Sequence, residues 1–176
     1  TKCKLKPIRQ NLIDEIWIRN KKFKVKKIYI LPKQVVGQSV EVKINKVVSK
    51  LKKVKADYHF ISSSENNSWL LNIRGKDAAY TPIINCFSLV DVHKNIKFFC
   101  DLRKIPIFFK RKFKKIEFVD IKFADFILSK INKKKFIIDN NTCSIHFENI
   151  ITKNNKILNQ SDPIYNFKSI KSKNEI

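Results

Sequence analysis

Trp69-Leu70-Leu71-Asn72-Ile73-Arg74-Gly75-Lys76-Asp77-Ala78-Ala79-Tyr80-Thr81-Pro82 is unlike the rest of this chain. One short run holds a Trp, one of the 2 Gly, one of five Arg, an Asp, a Tyr and a Pro. Two readings follow from the residue types. In the first, Trp69, Leu70, Leu71 and Ile73 pack as a core helix or strand that ends in a Gly turn, with Asp77 capping what comes next. In the second, a loop presents Arg74, Asp77 and Tyr80 into a cleft. Gly75 would then let the backbone turn sharply or approach a neighbour, while Arg74 and Asp77 bring complementary charge. Residue chemistry by itself favours packing.

Working outward, the N-terminal side reads as a short helix at Asn11–Trp17, a basic stretch to Lys27, and an extended piece at Ile28–Leu31 closed by Pro32. Ser39 is placed as an N-cap with Glu41 in the first turn, where a carboxylate suits the helix dipole. Val40, Ile44, Val47, Val48, Leu51 and Val54 recur at spacings of three and four and so share one helix face, with the lysines on the other. Tyr58–Ile61 reads as a buried strand and Ser62–Ser68 as a polar loop. On the C-terminal side, Ile83–Val92 and Ile96–Asp101 are apolar runs joined by His93-Lys94-Asn95, the pattern of an antiparallel hairpin. Ile116–Val119 is a strand. Phe123, Phe126, Ile127 and Ile131 mark an amphipathic helix, and Lys135–Asp139 is a further strand. Thr142 caps a helix to Ile151, and Asp162-Pro163 turns into a basic tail. Helices and strands in alternation, plus a hairpin, predict an α/β fold with a mixed central sheet flanked by helices.

With 176 residues, 43% of them hydrophobic, the chain can bury one ordinary core but not two large ones. It contains no Met, which marks it as an excised segment of a longer product. No apolar run approaches the roughly 20 residues of a membrane span. The net charge of +23 invites a nucleic-acid reading. Its make-up points elsewhere. Only five of the 38 basic residues are Arg, the side chain whose planar fork suits phosphates and bases, and the lysines are spread along the chain. The densest cluster, Lys110-Arg111-Lys112-Phe113-Lys114-Lys115, is the best place for an electrostatic contact. Cys3, Cys86, Cys100 and Cys143 are isolated from one another and form no CxxC pair, which argues for free thiols in a reducing cytoplasm.

A search for catalytic chemistry returns little. Two isolated Gly make neither a P-loop nor a dinucleotide fingerprint, and no G-x-S-x-G is present. His59, His93 and His146 lack metal-ligand spacing. The carboxylates form no catalytic pair. The residues themselves predict a segment that catalyses nothing.

The 69–82 stretch resembles the WLLN-(I/L)-RG-x-D-x-x-x-x-P motif of aminopeptidase P, the Xaa-Pro aminopeptidase family. Asn11–Trp17, Gly37-Gln38-Ser39 with its helix, Phe98–Asp101, Asp162-Pro163-Ile164 and 168–176 resemble further family segments in the same order. The resemblance implies a creatinase/prolidase N-terminal-domain-like fold: the second of two such domains, ahead of a pita-bread metallopeptidase domain. It implies residues 1–32 as a linker from a preceding domain, 33–160 as the domain itself, and 161–176 as the connection onward. It implies catalysis elsewhere, with no catalytic or metal residue here and Arg74, Asp77 and Tyr80 as substrate-cleft candidates. Two divalent metals, manganese or zinc, belong to the absent catalytic domain. The implied partners are the adjoining domains, a peptide with proline at its second position, and a second copy in a cytoplasmic homodimer. Lys76, where the family often has a small residue, and the unusual basicity depart from the pattern. The alternative from composition is a basic module that binds nucleic acid or an acidic partner.

Overall fold

In a computed structural model, residues 3, 6, 8, 10–17, 25–173 and 176 are described, the side chains of Asp14 and Lys110 excepted. The first elements are α1 (Leu12–Ile16), capped by the Asn11 side chain, and the short strand β1 (Tyr29–Ile30). Then come α2 (Val40–Lys53), β2 (Tyr58–Ile61), α3 (Ser64–Leu70) and β3 (Ile73–Arg74). The hairpin β4 (Cys86–Asp91) and β5 (Ile96–Cys100) leads to α4 (Ile107–Lys112) and β6 (Ile116–Asp120). The chain ends with α5 (Ala124–Lys130), β7 (Lys135–Ile138), α6 (Ile145–Thr152), β8 (Lys156–Asn159) and α7 (Pro163–Ser169).

One six-stranded mixed sheet, ordered β6-β5-β4-β2-β7-β8, organises the molecule. The hairpin strands β4 and β5 run antiparallel to each other, and β4 antiparallel to β2; the outer pairs β5–β6, β2–β7 and β7–β8 are parallel. Parallel strands need helical crossovers, so helices cover both faces of the sheet and the strands read as continuous apolar runs rather than alternating ones. One face packs Ile44, Val47, Val48 and Leu51 of α2 against Ile61, Phe98 and Ile137. The opposite face packs Leu128 of α5 and Ile151 of α6 against Phe60, Phe99 and Phe136. The hairpin turn is held by Asp91, whose Oδ1 accepts from the His93 and Asn95 amides while Lys94 takes φ 69°.

Several expectations are corrected. Ser62–Ser68 is not a loop. Its second half enters α3, capped by the Ser63 side chain. It looked solvated because its polar residues are buried by pairing: Asn67 Nδ2 donates to the Ile61 and Ser63 carbonyls, and Asn66 Nδ2 to Asp162. The helix after β6 exists, and Ile127 and Ile131 pack against the core as expected, but the fully buried positions are Ala124 and Leu128, with Phe123 and Phe126 turned outward. Ser144, not Thr142, caps α6; the Thr142 hydroxyl instead meets Ser62, 2.7 Å away. Lys43, assigned to the solvated face of α2, is buried. Strand β8 forms in a segment to which no element was assigned, and helix α7 where a turn into a basic tail was expected, α7 being capped by Asp162 with Pro163 in its first turn. Ile28 and Ile164 also lie in the core.

Candidate functional site

The 69–82 stretch closes one helix and opens a loop, and nearly every residue in it is bound to something. Trp69 and Leu70 finish α3 and Leu71 is its C-cap. The last carbonyls of a helix need donors, and here the motif supplies them. Leu71 N donates to Asn67 O and Asn72 N to Trp69 O. Arg74 Nη1 reaches back to Ser68 O at 3.3 Å and to Ile73 O at 2.8 Å. Burial lowers the Arg74 guanidinium from its ordinary range, with Tyr29 opposing; it stays a cation at neutral pH.

Asn72 turns the chain out of the helix at φ 53°, a left-handed conformation that Asn tolerates better than most residues. Its side chain is clasped on both sides. Lys43 Nζ donates to Asn72 Oδ1 at 2.6 Å and to Trp69 O at 2.9 Å, and stands 4.0 Å over the Trp69 ring; Asn72 Nδ2 donates to Gln38 O. Backbone Asn72 O accepts from Leu31 N, next to the β1–β3 pairing. Lys43 lies four residues before Val47, inside the apolar stripe of α2, and that spacing is a signal by which it could have been found.

Gly75 is required by space. A Cβ there would lie 2.7 Å from Ile83 O and 2.9 Å from Ile84 Cβ, because Gly75 N donates to Pro82 O as the loop doubles back. Asp77 faces inward: its Oδ2 accepts from Asn85 N at 2.8 Å and from Lys104 Nζ at 2.6 Å. The Asp77–Lys104 pair ties the loop to the 3-10 turn after β5, and both side chains are largely buried. No sequence spacing announces Lys104, which lies 27 residues away. At the tip, Ala78 and Thr81 form a bridge and Tyr80 stands fully exposed at φ 61°, a strained conformation for an aromatic residue. Of the three predicted cleft residues, Arg74 and Asp77 are therefore held back into the fold, and Tyr80 projects.

The histidines do not converge. His59 is buried in β2 with Asp162 Oδ1 3.4 Å from its Nε2, and neither ring nitrogen has a hydrogen-bond partner among the described residues. His93 is in the hairpin turn, and His146 pairs with Asp125 at the surface at 2.8 Å. Burial raises the thiols, Cys100 to about 12 and Cys143 to about 11, so they are not thiolate nucleophiles at neutral pH. Among the described residues no group of three or more His, Cys, Asp or Glu side chains is placed to hold a metal ion. Among the described residues the donors present form no site for the pair of metals, which the aminopeptidase resemblance assigns to another domain. Among the same residues no helix is long and apolar enough to cross a membrane.

A six-stranded mixed sheet with helices on both faces defines an α/β domain. The chain belongs to the creatinase/prolidase N-terminal domain family, whose model matches residues 19–175. It is 30% identical over 102 residues to aminopeptidase P1 of Lotus japonicus, covering 58% of this chain and 15% of that protein. It is 31% identical over 105 residues to the Xaa-Pro aminopeptidase ApepP of Drosophila melanogaster, covering 59% of this chain and 17% of that one. The fold matches an X-prolyl aminopeptidase from Caenorhabditis elegans, a cytosolic enzyme with a di-nuclear active site, at a TM-score of 0.82 and 21% identity over 95% of this chain and 28% of that one. The chain thus spans less than a third of each of these proteins.

Proposed function

We propose that this chain is the middle, non-catalytic domain of a cytosolic Xaa-Pro aminopeptidase, an enzyme that removes N-terminal residues preceding proline. The observation that carries the reading is the family match over residues 19–175 together with 30% and 31% identity to aminopeptidases of this specificity. In the whole enzyme the domain joins its neighbours through residues 1–32 and 161–176. Two divalent metals, manganese or zinc, are held by residues outside this chain, and two copies pair as a homodimer. The domain's part is to wall the substrate cleft and limit entry to short or flexible N-termini.

Within the domain the loop residues divide by role. Tyr80 meets the peptide, since it projects from a strained turn braced from behind. Arg74 and Asp77 position that turn through their inward contacts. Steady-state kinetics of the complete enzyme test this division. Tyr80→Ala is expected to raise KM several-fold with little change in thermal stability, and Arg74→Ala to lower stability and turnover together. An unchanged KM for Tyr80→Ala would remove it from the cleft. The chain by itself is expected to show no Xaa-Pro hydrolysis with manganese or zinc added, and measurable turnover would show that the active site was misplaced. A reading frame that encodes no metallopeptidase domain downstream would overturn the enzyme assignment.

A further inference from the structure

A groove of about 770 Å³ lies between the segment leading into α2 and the turn from α4 to β6. Its apolar lining includes Val36, Val40, Ile44, Phe113 and Ile116. Lysines stand on both walls: Lys33 on the first, Lys112, Lys114 and Lys115 on the second, with Lys94 of the hairpin turn between β4 and β5 beside them. Four of these five are exposed and Lys94 is half-buried. Glu41 is the one carboxylate among the described lining residues. The dense basic cluster singled out in the sequence thus forms one wall of a concave apolar site, and the peptidase reading gives it no task.

We propose that this groove binds an acidic peptide segment of a partner protein, one that alternates apolar side chains with carboxylates. The size suits a few residues of chain, within the roughly 300–1,000 Å³ of ordinary ligand sites. An extended segment sends successive side chains to opposite sides, so apolar groups enter the floor while carboxylates point to the open side, where the exposed lysines stand. A single-headed amphiphile would need its cations at one end. Nucleic acid fits less well: the lining contains no Arg, and its one aromatic residue, Phe113, is half-buried and packed on the core, not free for base stacking. A second copy of a chain with net charge +23 would bring more positive charge.

The test uses the chain itself and a short fluorescein-labelled peptide in which Glu alternates with Leu, read by anisotropy. Saturable binding is expected, with amide perturbations in NMR spectra at Val36, Val40, Phe113 and Ile116. Replacing Glu by Gln, or Leu by Ser, in the peptide is expected to weaken it strongly. The triple reversal of Lys112, Lys114 and Lys115 to Glu should weaken binding about tenfold or more, three exposed ion pairs being worth that together. Reversing Lys52, Lys53 and Lys153, which carry the same charge away from the groove, should change it by less than about twofold. Equal losses from both triple variants, or binding indifferent to Leu→Ser, would overturn the proposal by reducing it to diffuse attraction. A single-stranded oligonucleotide of equal charge that binds more tightly than the peptide and displaces it would overturn it in favour of nucleic acid. The NMR map is read on the unaltered chain, so it decides the matter even if a variant fails to fold. Binding here is read without turnover, and its failure leaves the peptidase assignment standing.

Discussion

Gly75 and His59 show how much a single position can carry here. At Gly75 the nearest obstacle to a Cβ is a backbone carbonyl, which cannot swing aside as a side chain can. Gly75→Ala is therefore expected to cost about 1–3 kcal/mol, measured as a lowered urea midpoint with an unchanged slope. A neutral substitution would mean that the 75–83 doubling-back is loose. His59 acts through pH. Burial lowers its imidazole, while Asp162 and Asp139 pull the other way. The unfolded chain takes up a proton near pH 6.5 that the folded one resists, so stability falls as pH drops through that value. In parallel denaturation series between about pH 7 and about pH 5, the native chain should lose more stability than His59→Gln. Equal losses would show that the two carboxylates cancel the effect of burial, and a smaller loss than that of His59→Gln that they outweigh it. Gly75 is legible as a point of close backbone approach, though the carbonyl it approaches lies eight residues on; His59 gives no local hint of Asp162.

At the scale of elements, local signals succeeded where they were self-contained. Helix α2 was readable because Ser39, Glu41 and a long apolar stripe all agree. The hairpin was readable because two apolar runs flank three turn residues. Helix α5 is half legible: Ile127 and Ile131 pack against the core as their spacing predicts, but Phe123 and Phe126 face solvent and Ala124 and Leu128 complete the inner face. The two faces can be weighed against each other by chemical denaturation. Leu128→Ala is expected to cost about 2–5 kcal/mol as a core truncation, and Phe126→Ala less than about 0.5 kcal/mol as a surface change. The reverse order would restore the sequence-based face. Helix α3 was missed for a different reason. Asn66, Asn67 and Ser68 read as solvent-loving, yet each is buried with its side-chain donor bonded inside the fold.

For the whole molecule, charge is the dominant perturbation. A net +23 on one domain sets like charges close together over its surface, and that self-repulsion opposes the compact state. Salt with a Debye length of about 8 Å at physiological strength screens it. The thermal midpoint should accordingly rise from low to physiological salt, and a flat or falling midpoint would mean that attractive pairs such as Asp77–Lys104 outweigh the repulsion. The sequence by itself determined the α/β class, the long helix, the central hairpin and the family, because hydrophobic period and a dense motif are local and survive without coordinates. Tertiary structure alone decided what the motif does. Arg74 turned back to helix carbonyls, Asp77 was claimed by Lys104, Asn72 was clasped by Lys43, and Tyr80 was left projecting. Those partners lie up to 29 residues away in the chain. Their pairing depends on how the helices settle on the sheet, which no spacing within the motif encodes.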